Sequence, residues 1–600
     1  MSTPASEFPA EPAGDPSDSA RPHRAGGRGR RTKVLVGVLG VVVLWMLAVG
    51  WLLAGARSSL ESGRTRLEGV RGEATPSSLL NPATATDLNQ AEADFARARR
   101  RLRSPAITPL RLVPVVGRHI RAADHLVASA QGSAALATTA VQQLGDLADQ
   151  PLAAGPQRIA ALKQLSKIIN QARDGLDDLD PGSPDSLASP LSKAVAKLAD
   201  ERRQTQVGLA HAAQATDALT TVLSGPTPYL LIGANNAEMR AGSGMYLSAA
   251  PLGFDDGRLE LGDVRPTQEL VLPAKSVPVK GDLATNWSWI DVGRDFRSMA
   301  LTVDFPQSAP VAAANWAKVS GGGPVGGVIV VDVDALRALL RVVGPVEVDG
   351  VRYTADTVRG ELLRNQYRRY GDDRDQRRDQ IGEVAKVVFK RIEAGHWKLD
   401  QLATALVDTV SRRHLMVWSA DPKVQAAWRT VSADGRLQDR SVAASLLNRG
   451  AEKLDSFLPT TAVLTSSTGS DGRVRVHLTY TVTNKAPASG PRYLIGPNIA
   501  GLVAGQHKGI VVINLPGGAS DVVVRGGRQT LQGTDGPTTV VAAEVSLLRG
   551  ATAQVRVSAV LPKGVTSVIL EPSARIPPTV WTVDGTTYRL DRRRSLSVGD

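Results

Sequence analysis

Residues 229–266, YLLIGANNAEMRAGSGMYLSAAPLGFDDGRLELGDVRP, decide the fold of the central part of the chain. The apolar run 229–233 is typical of a buried strand. The polar residues 235–240 then indicate a loop, and Gly244 begins a second strand. Asp256-Gly257 is a turn signal. The stretch therefore predicts two strands joined by a polar loop.

Strands and helices alternate downstream of this stretch. Residues 327–332, GVIVVD, form another apolar run typical of a buried strand. Asp334 is placed to cap a following helix, which Gly344-Pro345 would end. Asp349-Gly350 then predicts a tight hairpin. The alternation predicts an α/β domain over residues 226–458.

The C-terminal part has the pattern of an all-β region. Residues 473–483 and 553–560 alternate with period two, and turn signals recur between such segments. This predicts a separate antiparallel β-sandwich over residues 459–600. Because it contains no convergent set of titratable residues, we expect an accessory role. A chain ending near Leu458 would then keep any ligand affinity of the α/β domain.

Residues 57–225 have the composition of a helical bundle. Alanine dominates, and Phe95 is the one aromatic residue between Arg57 and Pro228. Apolar residues recur three and four positions apart from Ile120 to Leu144, which is the spacing of a helix seam. The pattern predicts a bundle or stalk of helices.

A 23-residue run without a charge, residues 34–56, precedes the bundle. As a helix it would be about 35 Å long, enough to cross a hydrocarbon layer of about 30 Å. Basic residues come directly before it: Arg21, Arg24, Arg28, Arg30, Arg31 and Lys33. We therefore predict a single-pass helix in the cytoplasmic membrane, with residues 1–33 as a disordered basic cytoplasmic tail and the bulk extracytoplasmic. A cleaved signal peptide is the alternative, but the run exceeds the usual apolar length.

Composition narrows the chemistry and the partners. The chain has no cysteine, which excludes disulfides, thiolate zinc sites and cysteine nucleophiles. Its formal net charge is +13, which favours polyanionic partners. Because the bulk is expected outside the cytoplasm, nucleic acid is the weaker candidate. Besides the lipid bilayer itself, the expected partners are an anionic cell-envelope polymer or a polyprenyl-phosphate lipid.

A dense arginine segment supports that expectation. Its members are Arg364, Arg368, Arg369, Arg374, Arg377 and Arg378. Aspartates are interleaved with them, so one interpretation is a solvated helix surface held by salt bridges. The other interpretation is a phosphate clamp, because guanidinium groups bind phosphate oxygens in pairs of hydrogen bonds.

The order of motifs resembles an uncharacterised membrane family of high-GC Gram-positive bacteria (actinobacteria), known only as a domain of unknown function. That family has an apolar strand, an Asn-Asn-x-Glu-x-Arg loop and a glycine-rich strand start. The matching residues in this chain are Asn235, Asn236, Glu238, Arg240 and Gly244, and Asp332 ends a further family-like strand.

A more distant likeness links the chain to the LytR–CpsA–Psr family. These membrane-anchored enzymes transfer glycopolymers from polyprenyl-pyrophosphate carriers to the cell wall, and their arginines hold the pyrophosphate. The resemblance implies a LytR–CpsA–Psr-like α/β domain within a multi-domain α+β protein. It also implies ligand-binding roles for Arg240, Arg265, Arg368, Arg369, Arg374 and Arg378.

The chain departs from that family at the acids that help to hold magnesium. Ala241-Gly242-Ser243 stands at the first position, and Pro266 stands at the second. Glu238 or Asp263 would have to substitute for them. The sequence thus predicts no metal site and no cofactor, and it leaves the catalytic residues and enzyme activity undefined. Two functions remain: binding a polyprenyl-pyrophosphate-linked or other anionic glycopolymer, with a part in its attachment to the wall, or a non-catalytic structural or scaffolding role in the envelope.

Overall fold

The computed structural model describes residues 28–72, 75–153, 155–371, 374–589 and 591–599. Side chains are described from residue 41 onward, except those of residues 374–381. Most of the predicted cytoplasmic tail, residues 1–33, lies outside the described residues. Its last part, residues 28–33, already belongs to the first helix.

The first helix, α1 (Arg28–Gly72), contains the predicted membrane span and continues beyond it. Among the described residues it is the one helix long and apolar enough to cross a membrane. This agrees with single-pass anchoring. The orientation of the helix across the membrane stays a prediction.

Five further helices follow α1 before the first strand. They are α2 (Pro76–Leu79), α3 (Pro82–Leu102), α4 (Pro114–Ala148), α5 (Gly155–Asp177) and α6 (Ser189–Ser224). Prolines stand in the first turns of α2, α3, α4 and α6, where no intrahelical N–H bond is lost. Phe95 of α3 packs directly on Gly63 of α1, where a β-carbon would lie 2.8 Å from the ring. Small residues thus let the helices approach closely.

The central sheet is mixed. Its strands are β1 (Tyr229–Met239), β2 (Gly244–Asp255), β3 (Arg258–Leu261), β4 (Arg265–Pro266), β5 (Gly327–Asp332) and, after the hairpin of β6 (Val346–Val348) and β7 (Val351–Tyr353), β8 (Leu415–Ser419). The order is β3-β2-β1-β5-β8, with β4 on β2. β1 runs parallel to β5, and the remaining pairs are antiparallel.

The polar segment 235–240, predicted as a loop, is mostly strand. β1 continues through Asn235 to Met239, and shifts in its register with β2 mark bulges. The side chains of Asn235, Asn236 and Glu238 are buried and paired, so the strand keeps its polar residues without exposing them. The loop prediction is wrong because these polar side chains find their partners inside the protein and not in water.

Helices surround the central sheet. They are α7 (Gly281–Asn286), α8 (Phe305–Trp316), α9 (Val333–Val343), α10 (Val358–Gly360), α11 (Gln366–Tyr370), α12 (Arg374–Glu393), α13 (Leu399–Ser411) and α14 (Pro422–Thr430). One turn of π-helix, Glu361–Asn365, joins α10 to α11. The cap of α9 is Asp332 rather than the predicted Asp334, because β5 leads straight into the helix. Asp332 accepts from the backbone N–H groups of Asp334 and Ala335.

The C-terminal strands form two six-stranded sheets. The strands are β9 (Ser441–Asn448), β10 (Thr460–Thr468), β11 (Val474–Thr483), β12 (His507–Leu515), β13 (Ser520–Arg525), β14 (Arg528–Asp535), β15 (Thr538–Leu547), β16 (Thr552–Val560), β17 (Ser567–Glu571), β18 (Val580–Val583), β19 (Thr586–Tyr588) and β20 (Arg594–Ser597), with the short helix α15 (Arg492–Ile495) between β11 and β12. One sheet has the order β13-β16-β11-β10-β18-β19, and the other β14-β15-β12-β9-β17-β20.

The sheet that contains β9 is covered on both sides. Val442 and Leu446 of β9 pack in the core between the two C-terminal sheets. Ala443 and Leu447 pack instead into the core that contains Ile232 of the central sheet. All eight residues of β9 are buried as a result. The predicted separation of the two regions at residue 459 therefore does not describe the packing, since the α/β part and the sandwich share one hydrophobic core.

The architecture is a mixed α+β multi-domain arrangement with an N-terminal apolar helix and several sheets. That coarse prediction is confirmed. The helices α9 and α12 cover the side of the central sheet that is turned away from the sandwich. A cavity lies between these helices and the sheet.

Candidate functional site

A cavity of about 840 Å³ lies between the central sheet and the helices α9 and α12. Its size falls within the range of about 300–1,000 Å³ that is common for small-molecule sites. Much of the wall is apolar. The apolar side chains along it are Leu231, Leu247, Val264, Val331, Leu336, Leu339, Leu362, Val388 and Phe389.

Polar side chains gather at one end of the cavity. They include Asn235 and Glu238 near the C-terminal end of β1 and Asp332 at the C-terminal end of β5. Because β1 and β5 are parallel, these ends lie at the same edge of the sheet. This is the edge at which open α/β sheets usually bind ligands. Residues from α11, α15 and the connecting segments complete the polar end: Arg297, Gln366, Tyr367, Lys453, Arg492, Tyr493 and Asn498.

A buried ion pair lies at the centre of this polar end. Lys453 Nζ bonds to Glu238 Oε2, and Arg240 Nη2 reaches Glu238 Oε1 at 3.2 Å. Burial works against the charge on Lys453, but the neighbouring Glu238 carboxylate outweighs it and raises the pKa of Lys453. Burial likewise opposes the charge on Glu238, while Lys453 and Arg240 lower its pKa. Both groups are therefore charged at neutral pH.

Two tyrosines border this ion pair. The rings of Tyr367 and Tyr493 lie 5.9 Å apart, and Lys453 Nζ is 5.4 Å from the centre of the Tyr493 ring. Asn235 Nδ2 donates to the Tyr367 hydroxyl at 2.9 Å, which connects α11 to β1. The lysine is thus fixed between an anion and two aromatic rings, pointing to one end of the cavity.

Two arginines add positive charge at the same end. Arg297 is held by both oxygens of Asp295, at 2.6–3.0 Å, and this hydrogen bonding raises its pKa. Arg492 is exposed, and its Nε donates to the Pro497 carbonyl at 3.1 Å. Its terminal nitrogens have no hydrogen-bond partner among the described residues. Arg492 is therefore the cation best placed to bind an incoming anion.

Asp332 serves the structure of this edge. Asn236 Nδ2 donates to Asp332 Oδ2 at 2.8 Å, and His414 Nδ1 bonds to the same oxygen at 2.6 Å. The other oxygen caps α9. Asn236 Nδ2 also donates to the Ala574 carbonyl at 2.8 Å, so the network reaches the sandwich. Asp332 and Asn236 thus fix the edge of the sheet and hold the two parts of the molecule together.

The carboxylates of the cavity do not fit a magnesium site. Glu238 is paired with two cations, Asp332 has both oxygens bonded, and Glu383, the third carboxylate of the wall, pairs with Lys386 at 2.8 Å. Within the described ranges, no group of three His, Cys, Asp or Glu side chains is arranged to hold a metal ion. Asp263, the other acid that the sequence suggested, is not part of the cavity wall. No reaction step is therefore assigned to a metal.

Arg240, a predicted ligand-binding residue, is used inside the protein. Besides its bond to Glu238, it donates to the backbone carbonyls of Arg297, Met239 and Asn448 at 3.0–3.2 Å. It joins β1, the following loop and β9, and it does not line the cavity. Its position next to Glu238 gives it an indirect role at the polar end.

The other predicted arginines lie away from the cavity wall. Arg265 donates to the Ser320 carbonyl at 2.6 Å and lies over the Trp316 ring, whereas its neighbour Pro266 lines the cavity. Arg368 is exposed, and Arg369 pairs with Glu361 at 2.7 Å. The side chains of Arg374 and Arg378 lie outside the described residues. α12, which carries them, covers the cavity with its later turns.

No sequence pattern indicates Lys453, Arg492 or Tyr493 as site residues. They lie more than 200 positions after β1, and no motif connects them to it. Arg575 and Asp455 were missed in the same way. They form a fully buried ion pair at 2.9 Å, and the other Asp455 oxygen accepts from the Met239 N–H at 3.0 Å. In the sequence, Lys453 next to Leu454 does not indicate a buried ion pair, because only the fold brings Glu238 close to Lys453.

Comparison with known proteins finds a family match for the part of the chain that forms the sheet edge of this site. Residues 224–367 match a family described as a protein of unknown function, DUF4012. The DUF4012 region begins just before β1 and ends at Tyr367, so it holds the sheet edge but not Lys453 or Arg492. The predicted resemblance to an uncharacterised domain family is confirmed for these residues. The likeness to the LytR–CpsA–Psr family stays a prediction.

No curated protein and no solved structure matches the chain.

Proposed function

We propose that this is a membrane-anchored, extracytoplasmic cell-envelope protein that binds a polyprenyl-pyrophosphate-linked or other anionic glycopolymer. The lipid part nearest the phosphate would lie in the cavity, and the phosphate would lie at its polar end. The single observation that carries the proposal is the lining of the cavity, which combines an apolar wall with a cluster of cations at the sheet edge.

The polar end of the cavity suits a phosphate group better than it suits a neutral group or a group rich in carboxylates. Lys453, Arg297 and Arg492 of the cavity wall are three cations. Glu238 pairs with Lys453 and Asp295 pairs with Arg297, which leaves Arg492 without a carboxylate partner among the described residues. Tyr367 and Tyr493 add hydroxyl groups. A charged hydrogen bond of this kind contributes about 1.5–3 kcal/mol, so two contacts suffice for specific binding.

The apolar wall suits a branched hydrocarbon chain. Leucine, valine and phenylalanine side chains from both helices and three strands surround it, and burying such a chain removes apolar surface from water. The helix α1 would keep the protein at the membrane in which polyprenyl carriers reside. Assisting the attachment of the polymer to the wall follows as a role for the bound complex.

A structural or scaffolding function is the second candidate. It is favoured by the internal use of Arg240 and by the salt bridge of Arg369, since both arginines already have partners in the protein. Transferase activity is outside the proposal, because the carboxylates at the site are engaged with cations and backbone groups.

Binding of farnesyl pyrophosphate, farnesol and inorganic pyrophosphate to the purified full chain would test the proposal. We expect farnesyl pyrophosphate to bind more tightly than either half alone. Arg492→Ala should weaken its binding about tenfold or more, since 1.4 kcal/mol corresponds to tenfold, and should leave farnesol unaffected. Arg525→Ala, an exposed arginine on β13, is the matched control. Failure of all three probes to bind would favour the scaffold.

A further inference from the structure

The turn between α3 and α4 presents an apolar surface to its surroundings. We call residues 103–116 the wedge. Leu112 is 84% exposed and Val115 is 63% exposed, although both are large aliphatic residues. Val113 and Val116 are exposed beside them. Four adjacent exposed aliphatic side chains at the tip of a helical hairpin form a patch that water solvates poorly.

The wedge lies alongside the apolar half of α1. The Trp45 indole Nε1 donates to the Ala106 carbonyl at 2.9 Å, across 61 residues of sequence. Val49, one turn further along α1, is buried although its neighbours on the helix are exposed. Arg101, just before the wedge, bonds to the Gly55 carbonyl and to Ser59 Oγ at 2.9 Å. The wedge therefore packs beside the predicted membrane span.

The depth of the wedge follows from helix geometry. Gly55 lies at the end of the charge-free run 34–56, and Trp45 lies ten residues before it. At a rise of about 1.5 Å per residue this corresponds to about 15 Å, which is half of a hydrocarbon layer of about 30 Å. If α1 spans a bilayer, the wedge extends into the leaflet on the side of the bundle.

Much of the backbone of the wedge is hydrogen-bonded within the hairpin. The wedge includes a short 3₁₀-helix, Thr108–Leu112, and a backbone segment in lipid must satisfy its own N–H groups. The N–H groups of Ser104, Ile107, Thr108, Leu110 and Val113 all donate to carbonyls within residues 101–110. The wedge also contains Pro105, Pro109 and Pro114, which have no N–H group that would need an acceptor.

Charged side chains turn back from the tip. Asp124 of α4 accepts two hydrogen bonds from Arg103, at 2.9 and 3.0 Å, and Arg99 and Arg111 approach it within 3.7 and 3.9 Å. Arg111 also donates to the Leu102 carbonyl, so this arginine of the wedge reaches away from the aliphatic tip. Three arginines therefore surround one carboxylate, so the cluster has a net positive charge; we call Arg99, Arg103 and Arg111 the arginine collar. The collar lies at the height of Gly55, where lipid phosphates would lie.

We infer that the wedge inserts into the lipid leaflet next to α1 and forms a second membrane contact of this protein. Its occupant is the phospholipid bilayer, with acyl chains around Leu112 and Val115 and anionic head groups at the arginine collar. The hairpin then holds the helical bundle against the membrane and fixes the orientation of the bundle relative to the membrane. A single spanning helix alone would not fix this orientation. This inference does not depend on any ligand of the cavity.

The absence of cysteine from the chain permits a direct test. Single variants Leu112→Cys, Val115→Cys and Val207→Cys would be labelled with an environment-sensitive fluorophore, and each full chain would be reconstituted into phosphatidylcholine–phosphatidylglycerol vesicles. Val207 is 50% exposed in the middle of α6 and serves as the matched aliphatic control. All three side chains are exposed, so the labels should leave the fold unchanged, which circular dichroism would confirm.

We expect the labels at 112 and 115 to be quenched by nitroxides on lipid acyl chains and protected severalfold from aqueous iodide. The label at 207 should show the reverse. Iodide quenching at 112 and 115 equal to that at 207 would overturn the inference. Protection from both quenchers, with disulfide formation between unlabelled Val115→Cys chains, would also overturn it, because a second copy of the chain would then cover the wedge.

Discussion

On the face of the central sheet that meets the sandwich, Leu230 and Ile232 are completely buried in a core shared with β9 and β12. On the opposite face of the same strand, Leu231 and Gly233 line a cavity of about 840 Å³. The two faces are built from alternate residues of one sequence segment. One face is filled by a neighbouring sheet, whereas the other is roofed by helices that leave space.

Mutations on the two faces should therefore affect different properties, stability on one face and ligand binding on the other. The sandwich face resembles the interior of a single domain, so changes there should act on folding. The cavity face already contains space, so removal of a side chain creates little new cavity, and changes there should act on a ligand. Each prediction below separates these two effects.

Removal of residues 459–600 should have the largest effect. It would expose the core around Ile232 and leave Asp455 without Arg575, its fully buried partner. The loss should exceed the 5–15 kcal/mol by which domains are usually stable, so we expect the remainder not to fold. This reverses the expectation, drawn from the sequence, that a chain ending near Leu458 keeps its affinity. A cooperative unfolding transition in that shortened chain would contradict the shared core.

Ile232→Ala and Leu247→Ala compare the two faces with similar substitutions. Ile232 is fully buried, so we expect a loss of about 2–5 kcal/mol in the free energy of unfolding. Leu247 is half-buried at the cavity wall, where we expect a loss of about 1 kcal/mol, because only transfer from water is lost. Urea denaturation of both variants measures this difference. Equal losses would mean that the two faces do not differ.

The pH dependence of stability should have opposite signs on the two faces. Burial and the nearby Asp535 raise the pKa of Asp304, on the sandwich side, to about 6. The native state then holds a proton that the unfolded chain has released, so stability falls as the pH rises from about 4 to about 6. The change amounts to about 3 kcal/mol, since a tenfold change in proton affinity corresponds to about 1.4 kcal/mol. On the cavity side, the lowered pKa of Glu238 contributes stability that is lost on acidification.

Asp304→Asn isolates the first of these contributions. The variant should lose most of the fall in stability between about pH 4 and pH 6, while its loss of stability in stronger acid persists. Denaturation curves across this pH range measure the slope. An unchanged slope in Asp304→Asn would show that Asp304 titrates normally.

Arg240→Ala and Arg265→Ala compare an arginine with several internal partners and an arginine with few. Arg240 donates to three carbonyls and a buried carboxylate, so its loss should cost about 2 kcal/mol. Arg265, with a single carbonyl partner and a ring beneath it, should cost about 0.5 kcal/mol. Thermal unfolding of the two variants provides the comparison. A larger loss for Arg265→Ala would reverse the assignment of structural roles.

The sequence predicts local structure here better than long-range arrangement. The apolar part of α1 follows from its run without a charge, and the strands β11 and β16 follow from their alternation. β9, SVAASLLN, has no alternation because both of its faces are buried, and its small residues give no strand signal. The polar part of β1 was mistaken for a loop because its partners, Asp455 and Lys453, are more than 200 residues away.

The same limit applies to the site. Asn235, Glu238 and Asp332 were singled out from the sequence and do line the cavity. The arginines were selected from the family resemblance and from their charge, and neither indicates whether a guanidinium faces a cavity, a carbonyl or a neighbouring carboxylate. Arg240 donates to internal carbonyls, whereas Arg492, in the short helix α15 of the sandwich region, lines the cavity.

The most direct test of the cavity is to fill it. Ala385 lies on the inner side of α12 and lines the cavity, whereas Lys390 is exposed on the same helix. Ala385→Trp and Lys390→Trp introduce the same side chain into the same helix. In titrations with farnesyl pyrophosphate, we expect Ala385→Trp to lose at least tenfold in affinity with unchanged thermal stability and Lys390→Trp to bind as the parent chain does. Equal affinity in both variants would contradict the assignment of the cavity as the binding site.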